Sequence, residues 1–207
     1  MHDLGYIHSD QKPANIMIGL NEKNSTVYLI DFGLSKRWRD PDTFMHLPLG
    51  DGRNLSGTAR YASLHNHFGY TKSRRDDLEE HGHVLLYFLK GTLPWEGISN
   101  PVKKIMYDEI KDVKVSVPLK NLTEGFPEEF HQYMLYVRNL GFTERPNYNY
   151  LRQLFSGLFE RCAFTDRIMN FTEKETIKAG KLYYCPGEEY EDNYGTCSIV
   201  NTVPFWK

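Results

Sequence analysis

Four segments with apolar residues at helical spacing constrain the fold most strongly. The first begins after Ser73, a residue suited to an N-cap, and ends before Gly91; positions 76, 77, 79 and 80 are acidic, which suits the positive end of a helix. Its apolar stripe consists of Leu78, Gly82, Leu85, Leu86 and Leu89. The other segments lie at about Pro101–Asp112, Pro127–Leu140 and Tyr148–Arg161. The pattern predicts a mainly helical domain whose core contains these stripes.

The first third of the chain has a different pattern. Two short β-rich runs, Asn15–Gly19 and Thr26–Ile30, flank a turn at Asn21–Ser25 and predict a small hairpin. From Asp31 to about Lys72, prolines and glycines interrupt any helical period. We expect a long loop there, and loops of that length in folded domains are commonly functional.

Composition supports one folded domain. The chain has 207 residues, of which 40% are hydrophobic, and a formal net charge of −2, which excludes a highly charged disordered chain and does not indicate a nucleic-acid partner. We place the domain at residues 1–171 and a partly ordered C-terminal extension at 172–207, where no period is sustained. The longest apolar run, Val84–Leu89, is too short to cross a bilayer, and no signal-peptide pattern occurs. Three widely spaced cysteines suit a reducing compartment, so we expect a cytoplasmic or nuclear location.

Residues suited to phosphoryl transfer cluster on either side of the predicted hairpin. The stretch Tyr6–Asn15 reads Y-I-H-S-D-Q-K-P-A-N, and D-F-G follows at Asp31. Phosphoryl transfer needs a carboxylate for the substrate hydroxyl proton, a cation near the transferred group, and oxygen ligands for Mg²⁺. These functions are available from Asp10, Lys12, Asn15 and Asp31.

This ordered pair of motifs resembles the catalytic loop and metal-binding motif of a protein kinase. The segments N-L-S-G-T-A-R-Y-A-S from Asn54 and S-R-R-D-D-L-E from Ser73 are similar to the casein kinase 1 family of Ser/Thr kinases. Further similarity at L-P-W-E-G from Leu93 and P-N-Y-N-Y-L-R-Q-L-F from Pro146 extends the resemblance over roughly residues 6–171. It implies a kinase C-lobe, helical with a small β-hairpin that carries the catalytic and D-F-G loops, and implies ATP and Mg²⁺ as cofactors.

The resemblance also implies roles for individual residues. Asp10 is the expected catalytic base, Lys12 the cation on the γ-phosphate, and Asn15 and Asp31 the Mg²⁺ ligands. Thr58 is expected to hydrogen-bond Asp10 and Lys12 and to mark a preference for Ser/Thr substrates. Asp77 resembles the buried structural carboxylate that accepts backbone N–H groups of the catalytic loop; the alternative is a simple charge at a helix N-terminus.

Basic residues of the long loop imply the substrate class. Lys36, Arg53 and Arg60 match basic positions that, in the casein kinase 1 family, favour acidic or phospho-primed protein substrates. The alternative is that these three residues are ordinary solvated charges of an exposed loop.

Several features depart from the family pattern. The 207 residues contain no G-x-G-x-x-G loop and no V-A-I-K-like strand, so we expect only the C-lobe, with weak or absent ATP binding by these residues alone. Ser9 stands where H-R-D motifs have Arg, and Gln11 stands where an apolar residue is usual. Without an N-lobe, the hairpin side chains at Ile16, Met17 and Ile18 are expected to face solvent or a partner.

Three interpretations stay open. The first is a truncated Ser/Thr kinase domain, as a fragment or an incomplete gene model. The second is a non-catalytic, pseudokinase-like C-lobe that binds substrates or partners. The third is a C-lobe completed by an N-lobe or regulatory partner from another polypeptide.

Overall fold

Six α-helices and two small antiparallel sheets make up the computed structural model, which describes residues 1–23 and 25–162. The helices are α1 (Leu64–His67), α2 (Arg74–Lys90), α3 (Lys103–Ser116), α4 (Leu119–Leu122), α5 (Glu128–Asn139) and α6 (Tyr148–Arg161). The strands are β1 (Tyr6–Ile7), β2 (Ile16–Ile18), β3 (Val27–Leu29) and β4 (Lys36–Arg37). The predicted helical fold with a small hairpin is confirmed. The predicted extension at 172–207 lies outside the described residues.

Helix α2 is the central element, and its ends follow from local chemistry. The Asp76 carboxylate accepts a hydrogen bond from the Ser73 backbone N–H at 2.7 Å, which satisfies a group that the first turn leaves free. At the other end, Gly91 adopts φ 75°, a left-handed conformation that glycine takes without strain. The helix therefore begins and ends where the sequence predicts.

The buried surface of α2 is wider than the predicted stripe. Leu86 and Leu89 are buried as expected, whereas Leu78 and Leu85 are only partly buried. All four acidic residues of its first two turns are at most 3% exposed: Asp76, Asp77, Glu79 and Glu80. These side chains therefore do more than complement the helix dipole, because a buried carboxylate needs a partner of its own.

The core lies where α2 packs against α5. Gly82 allows close contact there, since a Cβ at this position would lie 2.9 Å from Tyr133 Cε1. The core cluster also includes Val84, Trp95, Leu122 and Val137, each at most 1% exposed. Within the described ranges, no helix is both long enough and apolar enough to cross a membrane.

Apart from the hairpin strands β2 and β3, the short elements were not predicted from the sequence. β1 pairs with β4 in antiparallel register, which joins the chain before residue 8 to the long loop, and α1 lies inside that loop. We call residues 31–72 the activation segment. The two-residue strands β1 and β4 and the four-residue helices α1 and α4 are too short to show a detectable period. α3 also extends beyond the predicted Asp112 to Ser116, because Val113 packs against the core.

Candidate functional site

We call residues 8–15, which resemble the catalytic loop of a protein kinase, the catalytic loop; they run between β1 and the hairpin. It ends in a single 3₁₀ turn, Pro13–Asn15, in which proline occupies the first position and preorganises the turn. Residues 8–11 are all buried. Ser9 adopts φ 70°, a conformation uncommon for any residue other than glycine. The loop is thus a packed segment whose unusual backbone must be held by its surroundings.

Three predicted site residues, Thr58, Lys12 and Asn15, contact Asp10, which is 6% exposed. Thr58 donates its backbone N–H and its hydroxyl to Oδ1, at 2.9 and 2.8 Å. Lys12 Nζ lies 3.0 Å from Oδ2, and Asn15 Nδ2 donates to the Asp10 carbonyl at 2.9 Å. The expected bond from Thr58 to Lys12 is not formed between these described residues, because Lys12 lies on the other carboxylate oxygen.

Opposing effects set the pKa of Asp10. Burial alone raises the pKa of this carboxyl, but the hydrogen bonds from Thr58 and the ammonium of Lys12 outweigh burial and hold the pKa below its usual value. Asp10 is therefore ionised at neutral pH and can accept a proton or a hydrogen bond.

The two expected Mg²⁺ ligands lie at one end of the hairpin. Ile16 pairs with Leu29, and the Ile30 N–H donates to the Asn15 carbonyl at 2.9 Å, so Asn15 and Asp31 flank the same strand ends. Asp31 is exposed and has φ 60°. An amide and a carboxylate oxygen are a donor set that fits Mg²⁺ bound together with nucleotide phosphates. Residues 1–23 and 25–162 contain no group of three or more His, Cys, Asp or Glu residues that could hold a metal without a nucleotide.

Asp77 joins α2 to the catalytic loop. Its carboxylate accepts the backbone N–H groups of His8 and Ser9 at 2.7 and 2.8 Å, and the His2 ring lies 2.9 Å from Oδ2. Burial opposes ionisation of this carboxyl, but the contact with His2 and the two amides lower its pKa below the usual value. The structure thus gives Asp77 the contacts expected of a structural carboxylate, with His2 as an unpredicted third partner.

Lys72 and Glu80 form a buried ion pair beside the same loop, with side chains 3% and 2% exposed. Lys72 Nζ also donates to the Ser9 carbonyl at 2.6 Å, and Glu80 Oε2 accepts the Gln11 N–H at 3.3 Å. Burial raises the pKa of Glu80 to about 7, against the opposing effect of Lys72. We did not predict this pair, because a Lys and a Glu in a charged stretch normally indicate a solvated surface.

A second buried lysine supports the end of the activation segment. Lys114 Nζ donates to the carbonyls of Ala59 and Ala62, at 2.8 and 2.6 Å, and lies 4.9 Å from the centre of the Trp95 ring. Its residue is fully buried, and burial lowers the pKa of its ammonium to about 7. One feature of the sequence indicates that Lys114 is buried: it follows Ile110 by four residues and so lies on the same, buried face of α3.

Two of the three predicted anion-binding residues share a pocket of about 410 Å³. Lys36 and Arg53 line it together with Lys72, and Arg53 Nε donates to Thr71 Oγ1 at 3.0 Å. Partial burial and the neighbouring cations Lys72 and Arg53 lower the pKa of Lys36, as expected where positive charges are close together. This concentration of cations suits an anionic group.

Arg60 is not among the residues that line this pocket. Its guanidinium pairs with Glu96 at 3.1 Å, and its backbone carbonyl accepts the Trp95 indole N–H at 2.6 Å. The structure therefore separates Arg60 from the other two predicted cations.

Apolar side chains are exposed around the hairpin. Met17, Val27 and Tyr28 are 43%, 55% and 40% exposed, while Ile16 and Ile18 are partly buried. Leu20 and Phe32 extend this surface, at 76% and 55% exposed. We call these five exposed residues the hairpin surface: Met17, Leu20, Val27, Tyr28 and Phe32. The expected exposure is observed for Met17, but not in full for its two neighbours.

Comparison with curated proteins finds a relative that aligns over most of the chain. Casein kinase I homolog 3 of Schizosaccharomyces pombe is 48% identical to it over 168 residues. The aligned region covers 80% of this chain, and the chain spans only 38% of that relative's length. No protein-family model matches the chain.

Proposed function

Because this chain belongs to the casein kinase 1 family of protein kinases, we propose that it carries the substrate-binding half of a Ser/Thr kinase. The reaction transfers the γ-phosphate of ATP to a Ser or Thr hydroxyl of acidic or phospho-primed proteins. The observation that carries the proposal is the cluster at Asp10, where Thr58 and Lys12 contact an ionised, buried carboxylate and Asn15 donates to the backbone carbonyl of the same residue.

Each residue of this cluster has a distinct task. Asp10 accepts the proton of the substrate hydroxyl and orients its oxygen toward the phosphorus. Lys12, within 3.0 Å of Asp10, neutralises charge on the transferred phosphoryl group. Asn15 and Asp31 would hold Mg²⁺, which when bound neutralises charge on the nucleotide phosphates. Thr58 keeps Asp10 aligned through two hydrogen bonds.

The substrate preference is proposed from the basic pocket. Lys36 and Arg53 place two cations in this pocket. Lys72 also lines the pocket, but its buried ammonium is already paired with Glu80 and the Ser9 carbonyl. A phosphoserine or an acidic side chain near the acceptor hydroxyl can pair with these groups. The pocket thus supports acidic or primed protein substrates.

The test is phosphotransfer by the native protein that contains this chain, with Mg²⁺, ATP and an acidic Ser peptide. We expect Asp10→Asn to lower kcat by about 10²–10⁴-fold, because the proton acceptor is lost. Asp42→Asn is the control, since Asp42 is an exposed carboxylate of the activation segment. A rate for Asp10→Asn equal to wild type would contradict the proposal.

The hairpin surface favours a second function, that of a binding module. A contiguous set of exposed apolar side chains is typical of a surface that a partner covers. The proposed partner is an N-terminal kinase lobe or a regulatory protein that packs on Met17, Val27 and Tyr28.

Nucleotide binding separates the two functions. Calorimetry with residues 1–207 and Mg²⁺·ATP is expected to give very weak or no binding, because these residues contain no phosphate-binding glycine loop. Phosphotransfer by the native protein would then favour the kinase. A native protein that binds its partner but neither binds nor hydrolyses ATP would favour the binding module.

A further inference from the structure

The buried ion pair of Lys72 and Glu80 contacts the catalytic loop on both sides of Asp10. Lys72 Nζ donates to the carbonyl of Ser9, the residue before Asp10, at 2.6 Å. Glu80 Oε2 accepts the N–H of Gln11, the residue after Asp10, at 3.3 Å. Asp10 thus lies between two backbone groups that a single pair of side chains holds.

Ser9 has a backbone conformation that needs such support. Its φ of 70° lies in the left-handed region, which a side chain with a Cβ seldom adopts. Asp77 accepts its N–H at 2.8 Å and Lys72 donates to its carbonyl, so both backbone polar groups of Ser9 are fixed. The backbone at Ser9 sets the direction of the Asp10 side chain. Fixing the Ser9 backbone therefore also fixes the position of the Asp10 carboxylate.

The pair is poorly explained by stability alone. Removing two charges from water costs about as much as their attraction returns, so buried ion pairs often add little net stability. Charges of both signs also surround Glu80. The carboxylate of Asp77 on α2 repels it, whereas the ammonium groups of Lys36 on β4 and Lys114 on α3 attract it. The contacts of the pair with the Ser9 carbonyl and the Gln11 N–H are what distinguishes it from an ordinary buried ion pair.

We propose that Lys72 and Glu80 are a positioning pair that fixes the backbone on both sides of Asp10 and so aims its carboxylate at the substrate hydroxyl. The inference rests on the proposed phosphotransfer function. Neither residue touches the reacting atoms; both act through Ser9 and Gln11.

The decisive variant is Lys72→Met/Glu80→Met, which removes both charges and leaves no unpaired buried ion. We expect a melting temperature close to that of wild type. Residue-resolved hydrogen exchange on the 207-residue chain should show the Gln11 amide exchanging at least about tenfold faster, because it loses its acceptor. In the native protein, kcat should fall about 10-fold to 100-fold, with KM for peptide and ATP changed less than about twofold.

Two further variants separate positioning from a purely structural role. Lys72→Arg keeps a cation that can reach the Ser9 carbonyl, and should recover most of kcat. Lys111→Met is the matched control, since Lys111 forms an exposed pair with Asp108 at 2.7 Å, and should leave exchange at residues 8–11 and kcat as in wild type.

The outcomes distinguish this inference from the function on which it rests. Wild-type exchange at Gln11 together with wild-type kcat in the double variant would overturn the positioning role. If wild-type protein itself transfers no phosphate, the proposed function fails, whereas faster exchange in the double variant would still support the hold on the loop.

Discussion

Thr58 donates its hydroxyl to Asp10 Oδ1 at 2.8 Å, and its backbone N–H reaches the same oxygen at 2.9 Å. These two residues are separated by 48 positions. The contact therefore joins the activation segment to the catalytic loop. A shift of either segment changes the hydrogen bonds of the Asp10 carboxylate.

Thr58→Ala removes the hydroxyl and one of the interactions that lower the pKa of Asp10. The pKa should rise toward its ordinary value, so the acidic limb of the pH profile of kcat/KM should move to higher pH. Activity is lost as pH falls through the pKa of a base that must be ionised. Thr58→Ser, which keeps the hydroxyl, should retain the wild-type profile, and an unmoved limb in Thr58→Ala would contradict this role.

Asp77→Asn should destabilise the fold by about 3 kcal/mol, because one buried carboxylate serves two backbone amides and the His2 ring. The pKa of Asp77 is lowered in the folded state, so the ionised group contributes stability above its unfolded pKa. This contribution is lost as pH falls through the lower, folded value. Urea unfolding of wild type and variant between pH 7 and pH 3 should therefore show the stability difference shrinking in acid.

The matched control for Asp77→Asn is Asp108→Asn, which removes an exposed carboxylate paired with Lys111. Exposed pairs add little to stability, so we expect an unfolding midpoint like that of wild type. Equal losses of stability in the two variants would contradict the role of Asp77 in holding the backbone of the catalytic loop.

Lys114→Met should change how stability depends on alkaline pH. The folded pKa of Lys114 is lowered to about 7, so between pH 7 and its unfolded value near 10.4 the unfolded chain binds more protons. The contribution of Lys114 to the free energy of unfolding therefore becomes more favourable as pH rises across that window. Melting curves at pH 7, 8 and 9 should show the wild type gaining up to about 2 kcal/mol relative to Lys114→Met, whereas a constant gap would exclude the lowered pKa.

Substitutions in the basic pocket should act on substrate choice. Lys36→Ala and Arg53→Ala should each raise KM for a phospho-primed peptide about tenfold, because each removes a charge-assisted contact, and should affect an unprimed neutral peptide far less. Arg60→Ala should affect both peptides alike, since Arg60 pairs with Glu96 away from the pocket. Peptide kinetics with matched primed and unprimed sequences measure the difference; equal losses for Arg53→Ala would argue against recognition of the anion.

Long periodic segments could be predicted well from the sequence. The bounds of α6, Tyr148–Arg161, coincide with those expected, because its apolar residues repeat at helical spacing over the whole segment. The motif residues Asp10, Lys12, Asn15 and Thr58 are also brought together in space.

Buried charges could not be predicted in this way. Lys72 lies in a polar stretch, and only the packing of distant segments shows that its ammonium group is enclosed. For Lys114 the local signal is limited to its four-residue spacing from Ile110. His2 likewise has no local signal, since its partner Asp77 is 75 residues away. The separation of Arg60 from Lys36 and Arg53 depends on Glu96, which no loop motif includes.

The anchoring of residues 2, 8 and 9 by Asp77 has a consequence for synthesis on the ribosome. The catalytic loop is translated before α2, and the carboxylate that completes it follows 68 residues after Ser9 and 69 residues after His8. At about 5–20 residues per second, the nascent loop waits for several seconds without its hydrogen-bond acceptor. The catalytic loop thus becomes native only after the first turns of α2 have been made.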